Sequence, residues 1–235
     1  MSTSHLDRKE LKRPDAFQER ANSALDFLAK NARILMIAAL LILALVAGAA
    51  LYSNTKSKED AKANSAFFLV RKPFVTALEK APKDATWEQA VQSDITKVES
   101  FAKDHKGTQA SFEALLLIGD AYFDHGNYSK ASDYYKQALD GNRSRSMKAL
   151  AQHSLAYAHE NNKQHDQAIE YLKQVIASGE KSLKGDTLLA LGRNFAAKGD
   201  KAKASEHYDQ VAKEFPNSAL AKTAEAQKLA LGQTK

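Results

Sequence analysis

The chain contains no cysteine. That excludes disulfides, a thiol nucleophile, a lipidated cysteine anchor and any thiolate-ligated metal. Glycine and proline are scarce, at ten and four of 235 residues, and no run of alternating β-branched residues is long enough for a strand. With Ala, Lys, Leu, Gln and Glu abundant, these gaps predict an all-α protein. A one-sided charge is missing too. The net charge of +6 comes from 34 basic and 28 acidic residues mixed along the chain, a solvated surface rather than a basic stripe for nucleic acid. No Gly-rich nucleotide loop, nucleophile elbow or calcium loop occurs. His159-Glu160 begins a zinc-protease pattern, but Lys163 stands where the second His is required. His153, His165 and His207 lack paired ligand spacing, and no carboxylate pair sits in an apolar setting. The sequence predicts no catalytic residue, metal, cofactor or small-molecule substrate.

What is present begins with Ile34–Thr55, 22 positions without a charge between Arg33 and Lys56. As a helix it spans roughly 33 Å, enough for a hydrocarbon core of about 30 Å. Tyr52 sits where an interfacial aromatic belongs. The expected organisation is a cytoplasmic tail over residues 1–33, a transmembrane helix over 34–55 and a larger domain beyond. Flanking charge is balanced by Arg20, Lys30 and Arg33 on one side and Lys56, Lys58 and Lys62 on the other. The short tail is the one the positive-inside rule counts, so it should stay in the cytoplasm and the domain should lie outside. Ala47-Gly48-Ala49 has the form of a signal-peptidase site. A leader of 33 residues before an apolar run of this length argues against cleavage.

Met1 to Arg13 reads as a disordered polar tail. Pro14 and Asp15 suit a helix start. Phe17, Ala21, Leu25 and Leu28 share a face of an amphipathic lead-in helix, which is either simply solvated or a docking site.

Beyond the run, three segments superpose: Phe112–Asp140, Ala149–Ala177 and Gly185–Lys213. Their equivalent alanines Ala131, Ala168 and Ala204 are spaced 37 and 36 apart. The segments resemble tetratricopeptide repeats with a few extra residues in the turns. The first repeat supplies Leu115, Gly119, Tyr122, Ala131, Tyr135 and Ala138. The third supplies Leu188, Gly192, Phe195, Ala204, Tyr208 and Val211, with Pro216 at the closing position. The second is weaker, with Gln152, Ala156, His159, Ala168, Leu172 and Val175, and with His159 and Lys163 departing from the usual Tyr and Gly. Gly119, Ala156 and Gly192 should allow close crossing against Ala131, Ala168 and Ala204. Gly126-Asn127 and Gly199-Asp200 should turn the chain and cap the next helix.

Residues 56–108 read as connecting helices and a degenerate repeat, with helices at 57–80 and 87–106 broken at Pro82 to Asp84. Pro73 should kink the first, and Thr86 with Gln89 should form a capping box. Ala102-Lys103-Asp104 mirrors Ala212-Lys213-Glu214. The repeats fill 109–217, and 218–235 supplies the capping helix a solenoid needs. The fold class is all-α: one N-terminal transmembrane helix followed by an α-solenoid of tetratricopeptide-like helix pairs.

The resemblance implies a concave groove lined by the first helix of each repeat. Onto it fall Leu116, Asp120, Phe123 and Asp124; His153, Tyr157, Glu160 and Asn161; and Leu189, Arg193 and Ala196. Such an apolar strip with mixed charge suits a peptide or partner segment. Chaperone-binding relatives clamp a terminal carboxylate with Lys and Asn; Leu116 and Asp120 stand at two such positions, which argues against that ligand. The chain's own residues 57–80 filling the groove is the alternative.

The whole plan resembles the ancillary SecYEG translocon subunit family (YfgM type). The marks are FLAKNAR before the span, SKEDAKANSAFF after it, and VESFAKDHKGTQASFEALLLIGDAYF. The resemblance implies a single-pass bacterial inner-membrane protein with a periplasmic domain. Its implied partners are translocon subunits, periplasmic chaperones and client polypeptides. A membrane-tethered scaffold for envelope assembly or cell division is the alternative with the same fold.

Overall fold

The computed structural model describes residues 16–141 and 144–233, with side chains described for residues 22–141 and 144–232. Met1–Arg13, Pro14, Asp15 and the side chains of Phe17 and Ala21 lie outside the described residues. Among the described residues the architecture is all-α, with nine α-helices and no strand.

Helix α1 runs from Ala16 to Lys80. The expected separate helix at 57–80 is its last portion, and Pro73 lies inside it. The chain's contacts divide it into Met1–Ser57 and Lys58–Lys235. In the first unit the apolar run is bare, with Leu40, Leu43 and Leu45 all about 70% exposed.

The second unit holds α2 (Trp87–Asp104), α3 (Gln109–Asp124), α4 (Tyr128–Gly141), α5 (Arg145–Asn161), α6 (His165–Ser178), α7 (Lys184–Ala197), α8 (Lys201–Glu214) and α9 (Ala219–Gln233). From α2 onward each helix packs on the next. Helices α3 and α4, α5 and α6, and α7 and α8 pack as pairs. One repeat cannot bury its own apolar face, so the pairs stack. Ala63, Phe67 and Phe74 of α1 enter a core with Val91, Ile95 and Val98 of α2 and Ile118 of α3. The Phe67 and Phe101 rings stack at 5.4 Å. Residues 63–77 of α1 thus pack against α2 and α3. A second core joins Ala156, Leu172, Leu188, Phe195 and Tyr208 with Ala224 of the capping helix.

The turns follow from local chemistry. Gly126 and Gly199 take φ of +76° and +84°, the left-handed region where a Cβ is costly. Asn127 Oδ1 accepts the Lys130 amide at 3.2 Å, and Asp200 Oδ1 accepts that of Lys203 at 3.1 Å. The second repeat has Lys163 at the equivalent place, at φ +60°. Two expectations are corrected. Thr86 is helical in φ and ψ and makes no side-chain cap to α2; its amide and hydroxyl both donate to Asp84 Oδ1, at 2.8 and 2.6 Å. An N-cap side chain reaches the amides ahead of it from an extended backbone, which Thr86 does not have. The glycines, in turn, lie against a ring four residues beyond the expected alanine. A Cβ on Gly119 would come within 2.5 Å of Tyr135 Cε1, and one on Gly192 closer still to Tyr208.

Candidate partner-binding face

The first helices of successive repeats touch: α3 meets α5, and α5 meets α7. Residues at i, i+4 and i+7 share one helix face, which sets Leu116, Asp120 and Phe123 in one row, His153, Tyr157 and Glu160 in the next, and Leu189, Arg193 and Ala196 in the third.

The second and third rows are joined. Arg193 Nε donates to Glu160 Oε1 at 2.7 Å and Nη2 to Oε2 at 2.9 Å, a bidentate pair. The guanidinium lies 5.4 Å from the centre of the Tyr157 ring, in cation–π range. The His153 ring stands 4.7 Å from Tyr157. Burial lowers the His153 pKa, against the opposing pull of Asp186 and Glu160; its Nε2 is buried without a hydrogen-bond partner. Burial pulls the Arg193 pKa down, but the Glu160 hydrogen bonds and charge outweigh it and the net shift is upward. Asn161 is exposed, and its amide donates to the Tyr157 carbonyl at 2.9 Å.

The first row is occupied differently. Phe123 is half-buried, its ring edge-on to Tyr128 of α4 at 5.2 Å, so it packs within its own repeat. Leu116 is half-buried against the cores beneath α3. Asp120 reaches solvent yet accepts the Tyr135 hydroxyl at 2.7 Å. Crowding by its neighbours raises its pKa despite that bond. Asp124 is exposed. Leu189 is buried at 6% exposure and offers no surface, while Ala196 is half-buried. The accessible part is thus an aromatic and ionic strip over α5 and α7, with carboxylates on α3. Among the described residues no three His, Asp or Glu gather as metal ligands.

Sequence reading missed Asn194. It is fully buried, donating to the Ala190 carbonyl at 2.9 Å and accepting from His165 Nδ1 at 2.9 Å. A polar residue between Gly192 and Phe195, two packing positions, was the available signal.

No curated protein matches this chain in sequence. Among solved structures it is similar to a putative kinesin light chain of Podosopora anserina with nearly identical TPR-like repeats. That match has 19% identity and a TM-score of 0.54, covering 74% of this chain and 86% of that one. It is also similar to the first TPR of Spaghetti (RPAP3) bound to an HSP90 peptide, with 20% identity, a TM-score of 0.45, and coverage of 52% and 90%. MamA matches with 20% identity and a TM-score of 0.44, covering 64% and 90%. The model for the tetratricopeptide repeat-like domain matches residues 26–229, nearly all of the described helices, and the chain belongs to that family.

Proposed function

We propose that the chain is a membrane-tethered protein-binding module at the bacterial secretion translocon, of the YfgM type, assisting handover or folding of exported polypeptides through its repeat domain. The carrying observation is the state of α1: its apolar window has a mean hydropathy of 2.9 and is 0% buried. Exposed apolar surface on that scale needs a lipid or protein cover, and the run is long enough for a bilayer. The family match includes the apolar run, which fits one tethered unit. Tetratricopeptide repeats are protein-interaction modules, and the strip over α5 and α7 offers aromatic and Arg side chains of the kind that anchor partners. In this reading the tail stays in the cytoplasm, the domain occupies the periplasm, and translocon subunits, periplasmic chaperones and clients are the partners.

Affinity capture from membranes in mild detergent tests it. Channel subunits should be recovered with the full chain. Recovery of only division or cell-wall proteins would favour the envelope-scaffold reading. Protease added to spheroplasts should digest the chain beyond Lys56 and spare the tail; a fully protected domain would overturn the orientation.

A further inference from the structure

Past Ser57, α1 carries two stripes. Ala63, Phe67, Val70, Phe74 and Ala77 recur at i, i+4, i+7, i+11 and i+14, and pack in or against the core. Lys58, Lys62, Ser65, Leu69 and Lys72 have the same spacing five residues out of phase, and all five are exposed. Five residues carry a helix about 140° past a full turn, so the second stripe looks away from the core. Phe68 borders it. Phe68 is 62% exposed and Leu69 71%, a solvated apolar pair with lysines on both sides along the axis. None of the ion pairs among the described residues uses Lys58, Lys62 or Lys72.

Three occupants could cover this face. A helix lying on lipid seats a continuous apolar face, whereas past Ser57 the exposed large apolar residues of α1 are Phe68 and Leu69 alone. A second copy meeting this face with its own would set lysine against lysine, which is unfavourable. An acidic segment matches both the charge and the apolar centre. Lys62 and Lys72 are ten residues apart, about 15 Å along the axis.

We propose that this outward face of α1 docks an acidic amphipathic segment of a membrane-anchored protein. The partner's apolar side chains sit on Phe68 and Leu69, and its carboxylates meet Lys62 and Lys72. This rests on the tethered reading above, since the membrane is what fixes the partner beside α1.

The test uses the full chain in native membranes, with a photo-crosslinking amino acid at Leu69 and, as background, at exposed Gln137. Mass spectrometry then sequences the linked segment. The expected result is one Asp/Glu-rich segment of a membrane-anchored protein, linked from Leu69 and not from Gln137. Its yield should fall roughly fivefold or more in a K62E/K72E variant and in about 0.5 M salt. Linkage only to lipid, to a second copy or to a neutral or basic segment would overturn the proposal, as would a yield indifferent to K62E/K72E. Alkaline extraction of the same membranes reads anchoring separately. A chain released by alkali yet still linked to an acidic segment would overturn the tether and uphold the docking face.

Discussion

The Tyr135 ring occupies the space that a side chain on Gly119 would need: a Cβ there would stand 2.5 Å from Cε1 and 2.7 Å from Cδ1. Tyr208 does the same to Gly192. In the second repeat the equivalent residues are Ala156 and Leu172, both fully buried. A larger residue on the first helix thus comes with a slimmer one on the second.

Gly119→Ala should therefore destabilise the fold by about 1–3 kcal/mol through overpacking, even though Ala is the better helix former by roughly 1 kcal/mol. The rings are rigid, so the helices must shift. Adding Tyr135→Leu, which installs the second repeat's pairing, should recover part of the loss. Gly141→Ala, with nothing within 4 Å, should cost little. Thermal melting of the three variants checks this; equal shifts for Gly119→Ala and Gly141→Ala would refute the pairing.

Lys163 holds φ +60° at the place where the other repeats use glycine. A left-handed backbone costs a non-glycine residue about 1 kcal/mol or more. Lys163→Gly should stabilise the domain by roughly 0.5–1 kcal/mol after its greater unfolded-state entropy is counted. Gly126→Ala and Gly199→Ala should move stability the opposite way. Denaturant midpoints at constant slope would show the sign.

The repeat register was legible because tetratricopeptide packing repeats small residues and aromatics at fixed spacing; Ala131, Ala168 and Ala204 all reach zero exposure. The partner of each small residue was not legible. Spacing says that Gly119 faces helix α4 but not that a ring fills the gap. The Thr86 cap failed because its backbone is already helical, not extended as an N-cap requires. Of the groove, the Tyr157–Glu160–Arg193 cluster was reachable from the register. The burial of Leu189 was not, since α7 is covered nearly all round rather than on one face. The basic stripe on α1 was readable as spacing, but only the core shows which stripe faces outward.

Protonation should weaken the repeats in acid. Burial lowers the pKa of His153, faced by Asp186, Glu160 and Arg193, and of His207, faced by Glu206 and Lys173. The folded state therefore binds these protons less readily than the unfolded chain. Their contribution is fully present above the unfolded imidazole value of about 6.5 and is lost as pH falls through the lowered folded values. His153→Gln should flatten the pH dependence of the melting temperature below about 6.5. An unchanged slope would mean that His153 is accessible to protons in the folded state.

Arg193 cannot be cut back cleanly, and the groove test must allow for that. Its side chain is 28% exposed and that of Glu160 17%, so Arg193→Ala strands a half-buried carboxylate and should cost about 1.5–3 kcal/mol of stability. An Arg193→Ala/Glu160→Gln double variant removes the stranded charge and should melt closer to wild type. It still lacks the cation over Tyr157. Binding and folding can then be read apart on the full chain in detergent, by melting temperature and by retention of client polypeptide or channel subunits. The double variant and Tyr157→Ala should each weaken retention by about 5- to 1000-fold, the range of aromatic and Arg anchors. Phe123→Ala should chiefly lower stability, because its ring packs on Tyr128. Normal retention by the folded double variant together with Tyr157→Ala would show that partners do not use this face, leaving the Phe68–Leu69 face of α1 to hold them and the repeats to act as a spacer.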